Sequence, residues 1–218
     1  MTVEAYRPSP FRQAVKAALL AVMPRSMLIG SLPAGDRSVA LTFDDGPHPE
    51  WTPRILDALA ARNAKATFFV IGERAERHPS LVRRLAAEGH AVGHHSWTHS
   101  EPAVTSARTL LEETRRTRAL VEELTGRPAP LFRPPHGKLT AAKLCGVWWQ
   151  RNAVVLWNRD PKDFQLGEAG VLVAALTERP LLPGDILLLH DVHAHTAEAM
   201  PRILAAIAPP CAALTAGR

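Results

Sequence analysis

The stretch LTFDDGPHPEWT, Leu41 to Thr52, ends an apolar run on two adjacent aspartates and follows them with Gly46 and Pro47. Asp, Gly and Pro are the residues turns prefer, so a plain turn explains the composition. It does not explain why Asp44 and Asp45 stand side by side, since each carboxylate disfavours the charge on the other. A cation at the pair removes that objection. One carboxylate, Asp45, binds the ion, while Asp44 stays ionised and takes a proton from an attacking water.

Outward from these residues the chain alternates strand and helix patterns. SVALTF reads as a strand and TPRILDALAARN as a helix, with Thr52 as N-cap and Pro53 at the first helical position. ATFFVIG is a second strand, and HPSLVRRLAAEG a helix closed by Gly89. AVGHHS follows, then a long helix from about Ser106 to Leu124 ending at Gly126. LFRPP, AVVLWN and DILLLHD are the later strand candidates. EAGVLVAALTE and AEAMPRILAAIA read as helices, with Pro201 marking a first turn or a kink in the second. Such alternation predicts an α/β fold of parallel βα units with both faces covered, and leaves open sheet and barrel both standing. The chemically competent groups cluster at the carboxyl ends of apolar runs: Asp44 and Asp45 after LTF, His95 and His99 after AVG, Arg133 after LF, His190 and Asp191 after ILLL. In α/β folds those ends gather on one face, where active sites are built.

HHSWTHS places His95 and His99 four residues apart, so one helical turn or a tight loop can aim both rings at one point. Imidazoles suit zinc and its neighbours, and a carboxylate is a common third ligand, which Asp45 supplies. A set of three leaves positions open for water and substrate. His94 is an alternative to His95 as ligand, and a polar loop with chance histidines is the plain explanation. His190 ends the most apolar late strand and is the candidate proton donor; a histidine near a helix start, with Asp191 or Thr196 as cap, is the structural alternative. His193 and His195 form an HxH pair in the following loop and are second choices.

Composition narrows the class. A 218-residue chain forms one domain with room for a small extension, and can bury roughly 70% of its unfolded surface without staples. Cys145 and Cys211 show no metal-ligand spacing and read as ordinary buried thiols. The net charge is +5. In LLEETRRTRALVEEL, however, the charges alternate with apolar residues at helical spacing, a solvated helix face and not a nucleic-acid stripe. FRQAVKAALLAVM carries basic residues ahead of an apolar run too short to span a membrane. Pro24 and Arg25 stop it and no small-x-small cleavage site follows, which favours a cytoplasmic protein over an exported one.

Five stretches, TFDDGP, HSWTH, RPPHG, WNRDPKDF and LLLHD, together resemble, in order, the motifs of the NodB-homology polysaccharide deacetylases, carbohydrate esterase family four. They run from about Val39 to Asp191, most of the chain. The resemblance implies a distorted (β/α) barrel with fewer strands than a full eight. It makes residues 37–218 the catalytic domain; residues 1–36, which differ in composition, read as an N-terminal extension, a packing helix or a loose membrane-surface contact. The same resemblance implies hydrolysis of acetyl groups on N-acetylated sugars, with a divalent metal, zinc foremost and cobalt or nickel as alternatives. Asp44 would be the base and Asp45, His95 and His99 the ligands. Arg133 would orient Asp44, and His190, paired to Asp163, would be the acid. The backbone N–H of His136 would hold the oxyanion, Leu188 would line the acetyl pocket, and Phe164 would wall Asp163. His94 stands where the family commonly has asparagine, His136 where tyrosine is usual, and Phe164 where tryptophan is usual. An O-acetyl carbohydrate esterase and a non-catalytic carbohydrate-binding relative are the alternatives.

Overall fold

The computed structural model describes residues 18–101 and 104–216. Seven strands form one all-parallel sheet in the order β1-β6-β5-β4-β3-β2-β7. They are β1 (Leu28–Ile29), β2 (Ala40–Asp44), β3 (Ala66–Val70), β4 (Ala91–His94), β5 (Leu131–Phe132), β6 (Ala153–Val155) and β7 (Ile186–His190). The sheet curls into a distorted barrel. Residues beyond β6 cross towards β7, where Arg159 bridges Leu187, and β1 adds to the far side of β6.

Side chains alternate across these strands, as a period of two requires. Leu41, Phe43, Phe68, Val70, Leu187 and Leu189 face outward into the main core beneath the helices, where Phe43 and Phe68 stack at 4.9 Å. Ala40, Phe69, Leu131, Ala153, Val155 and Ile186 fill the barrel interior. A third cluster packs Leu28, Phe132 and Val154 under another helix.

The helices are α1 (Trp51–Ala61), α2 (Gly72–Arg77), α3 (Pro79–Ala87), α4 (Ala107–Thr125), α5 (Ala141–Trp149), α6 (Ala169–Glu178) and α7 (Ala194–Ala206). Helix α4 has the ends its sequence announces: Ser106 Oγ accepts the Thr109 N–H at 3.0 Å, and Gly126 takes φ 65° just past the last turn. Pro201 lies inside α7.

Three expectations change. Thr52 is not the N-cap of α1; Glu50 is, and Thr52 is the second helical residue, with its hydroxyl accepting from His48 N–H and donating to Asp191. Cys145 is exposed on α5 and not a buried thiol, and α5 itself had no predicted counterpart. Of residues 1–36, those up to 17 lie outside the described residues, 18–22 are helical, and Leu28 and Ile29 are hydrogen-bonded into the sheet beside β6.

Gly93 of β4 tests the packing. A Cβ there would lie 2.7 Å from the Leu131 carbonyl oxygen and 2.7 Å from the Phe69 ring. Gly93→Ala is expected to cost about 1–3 kcal/mol in urea unfolding, the usual range for overpacking.

Candidate active site

The carboxyl ends of β2, β3, β4, β5 and β7 meet on one rim, and alternation sorts their functional groups. Asp44 is an interior residue of β2 in register with His190 of β7. The chain then leaves the strand through Asp45 at φ 72°, a left-handed conformation that Asp tolerates better than most residues. This turn brings the second carboxylate round to the same opening.

His94 and His95 part in the same way. His94 points outward, fully buried, stacked on Phe132 at 5.2 Å, with Nε2 3.3 Å from Asn152 Oδ1. His95 points inward. Its Nδ1 donates to the Arg133 carbonyl at 2.6 Å, which leaves the Nε2 lone pair facing the aspartates. The loop that follows is a tight turn and not a helix: Ser96 and His99 take φ 63° and 59°, and Ser96 Oγ accepts the His99 N–H at 3.1 Å. Glu113 of α4 pins the loop by accepting from the Trp97 and Thr98 N–H groups and the Thr98 hydroxyl.

Asp45, His95 and His99 thus offer ligand atoms all within 4.8 Å of one another. Asp45 Oδ1 lies 3.5 Å from His95 Nε2 and 3.3 Å from His99 Nε2, and it is buried with no hydrogen-bond partner among the described residues. Burial lowers the His95 pKa to about 3, so the ring is neutral and its lone pair available. A buried carboxylate oxygen with no donor, facing two imidazoles, is the chemistry of a divalent metal site. His94 is no part of it.

Asp44 is held by Arg133, which is completely buried. One guanidinium nitrogen donates at 2.7 Å both to Asp44 Oδ1 and to Thr42 Oγ1, and Nε donates to the Val155 carbonyl at 3.4 Å. Burial pushes the Asp44 pKa above its usual value, against the charge of Arg133. Asp44 Oδ2 is left 3.7 Å from His95 Nε2, on the cluster side.

Across the rim, His190 Nδ1 lies 2.7 Å from Asp163 Oδ1. Asp163 is fully buried, and each of its oxygens takes two donors: Oδ1 from His190 Nδ1 and Phe164 N–H, Oδ2 from His190 N–H and the Thr196 hydroxyl. Burial alone would lower the His190 pKa. The hydrogen bond and charge of Asp163, with the charges of Asp44 and Asp45, instead raise it to about 9.

The remaining candidates border this arrangement. Leu188 is an interior residue of β7, nearly buried. Phe164 is half-exposed and meets the His190 ring edge-on at 5.4 Å. His136, at φ 56°, stands 5.0 Å from the His99 ring, with Nε2 3.4 Å from Glu101. His195 Nε2 bonds the Asp163 carbonyl oxygen and His193 stacks on His195, so the HxH pair supports the Asp163 side and does not join the metal cluster. Sequence reading missed Thr42 and Glu113. Thr42 carried a usable signal, since it stands two residues before Asp44 and shares its face.

The family model for polysaccharide deacetylases matches residues 31–146, and the chain belongs to this family. The chain is 37% identical over 162 residues to a peptidoglycan-N-acetylglucosamine deacetylase of Bacillus cereus, covering 73% of this chain and 58% of that protein. It is 39% identical over 166 residues to a chitooligosaccharide deacetylase of Sinorhizobium fredii, covering 72% and 73%. The crystal structure of the Bc1960 peptidoglycan N-acetylglucosamine deacetylase superposes with a TM-score of 0.78 at 31% identity, over 90% of this chain and 89% of that one. This chain therefore spans little more than half the length of the Bacillus cereus relative.

The two halves of the rim can be tested apart. In protein stripped of metal, the His190 imidazole should titrate near about 9 by NMR, and Asp163→Asn should bring it down towards the ordinary value near ~6.5. Because its pKa is raised on folding, His190 should contribute stability in full below about pH 6.5 and lose that contribution as pH rises through about 9. The difference in unfolding free energy between wild type and Asp163→Asn should shrink across that window. A titration midpoint at or below ~6.5 in the wild type would contradict the pairing.

Proposed function

We propose that the protein is a metal-dependent carbohydrate N-deacetylase, hydrolysing the acetamide of an N-acetylated sugar to acetate and a free amine. One observation carries the reading. A carboxylate locked to a buried arginine, a three-ligand metal cluster and an aspartate-charged histidine all open on one rim. The family and the glycan deacetylases among the relatives support it. That relatives are a peptidoglycan-N-acetylglucosamine deacetylase and a chitooligosaccharide deacetylase supports an N-acetylglucosamine-containing glycan as the substrate class.

Asp45, His95 and His99 would hold a divalent ion, zinc first on ligand grounds with cobalt or nickel also suited, and once bound it would supply Lewis acidity and lower the pKa of water towards neutrality. The chain's own residues do the rest. Asp44 is the base: Arg133 occupies Oδ1 and fixes the carboxylate, and Oδ2 faces the cluster to accept the proton of the attacking water. Its raised pKa, with burial the largest cause, makes it a stronger base than an ordinary aspartate. The backbone N–H of His136 is assigned to the developing oxyanion. His190 is the acid. With Nδ1 held by Asp163, it donates from Nε2 to the departing nitrogen, which would otherwise leave as a very poor amide anion. Leu188 and Phe164 are assigned to the walls around the acetyl group and the acid.

Acetate release from N-acetylglucosamine oligomers is the direct test. Chelator should abolish it and added zinc or cobalt should restore it. Asp44→Asn should lower kcat by about 10²–10⁴-fold, the range for losing a general base. In that variant the rise in Tm on adding zinc should persist, because the ion stabilises whatever folded state binds it. Turnover retained in Asp44→Asn would remove it from the base role.

A further inference from the structure

A second concavity lies on the same rim, outside the catalytic cluster. Its volume is about 270 Å³, and Pro47, His48, Pro49, Arg74, Arg77 and His78 line it. Two of its walls follow directly from the site: Pro47 and His48 come just after Asp45, and Arg74 and Arg77 lie on α2, which starts after β3. The lining contains no carboxylate.

Among the described residues both arginines lack ionic partners. Arg74 Nη1 donates to the Asp45 carbonyl at 3.0 Å, and Arg77 Nε donates to the Glu73 carbonyl at 3.1 Å. Among the described residues neither guanidinium makes an ion pair, whereas Arg54, Arg84, Arg108, Arg116 and Arg118 each do. Of the acids nearby, Glu50 is paired with Arg54 at 2.9 Å and Glu76 with Arg116 at 3.3 Å, while Glu73, beside Arg74 on α2, is not among the residues that line the basin. His48 is set as a neutral donor. Its Nδ1 accepts the N–H groups of Glu50 and Trp51, which places the ring proton on Nε2, and burial with the charge of Arg74 lowers its pKa. A concave basin with two guanidiniums, two imidazoles and no internal counter-charge is complementary to an anion, and guanidinium forks match carboxylates in particular.

We propose that this basin is a subsite for a carboxylate on the glycan substrate, placed beside the sugar whose acetamide is cleaved. The inference rests on the deacetylase reading, and it assigns to Arg77, His78 and Arg74 a role in choosing acidic over neutral glycans. Arg74 also ties the basin to the catalytic rim, since the carbonyl it holds belongs to Asp45.

The test uses matched substrates. One is an oligomer of N-acetylglucosamine and N-acetylmuramic acid, whose lactyl groups carry carboxylates; the second is the same oligomer with those carboxyls amidated. Wild type should show kcat/KM about tenfold higher for the charged oligomer, through KM, in keeping with one or two hydrogen bonds to a charged group at a partly exposed site. Arg77→Gln combined with His78→Gln should bring that ratio close to one, and salt should reduce it in the wild type. Calorimetry with both oligomers reads the same preference as a Kd ratio without turnover. A charge preference in binding with no acetate released would keep the subsite and sink the deacetylase reading. Equal handling of the two oligomers by wild type, or a preference that survives the double variant, overturns the subsite. Binding of inorganic phosphate by wild type, with no preference between the two oligomers, would show a general anion site and not one for the glycan's carboxylate.

Discussion

The Arg133–Asp44 pair is the contact on which the site depends. A guanidinium with no exposure fills the barrel interior between the rings of Phe69, 4.2 Å from its centre, and Trp157, at 5.5 Å. Removing one member of such a pair leaves an uncompensated buried charge, which typically costs about 3–5 kcal/mol. The geometry of Asp44 is therefore set by barrel packing, and not by a flexible loop. Thr42, one pleat below, accepts from the same nitrogen and donates its hydroxyl hydrogen bond to the Leu187 carbonyl, so the pair is anchored to β2 and β7 together.

From that anchor the rim divides into halves with opposite protonation, although histidine supplies both. His95 and His190 are each largely buried, and burial is the largest influence on each. His95 meets a neutral carbonyl at Nδ1; the loss of water outweighs the opposing charge of Asp45, and its pKa falls to about 3. His190 meets a carboxylate in which each oxygen accepts two donors, and it rises to about 9. Neutral imidazole suits a metal ligand and imidazolium suits an acid. What each nitrogen bonds to decides the role.

Much of this was legible because it is local. The strand and helix periods, the start near Ser106 and the Gly126 stop of α4, and the gathering of Asp44, Asp45, His95, His99 and His190 at the ends of apolar runs all follow from short-range pattern. Strand alternation also separates His95 from His94, which stayed alternatives while the strand's inward face was unassigned. The misses are of another kind. Thr52 has the composition of a cap but is taken by His48 and by Asp191, 139 residues away. Strand β1 is two residues long and exists because β6 offers it an edge. Helix α5 carries its apolar residues over much of its surface and shows little periodicity to read.

By itself the sequence determined which groups this protein has and which rim they share, because residue type, motif spacing and strand period act over a few residues. Only the tertiary structure decided what each group is. The depth of Arg133, the four donors on Asp163, the orphaned oxygen of Asp45 and the unpaired arginines beside Pro47 depend on elements far apart in the chain. Charge state and basicity are set by the surrounding dielectric and the nearest partner, and both are properties of the packed barrel.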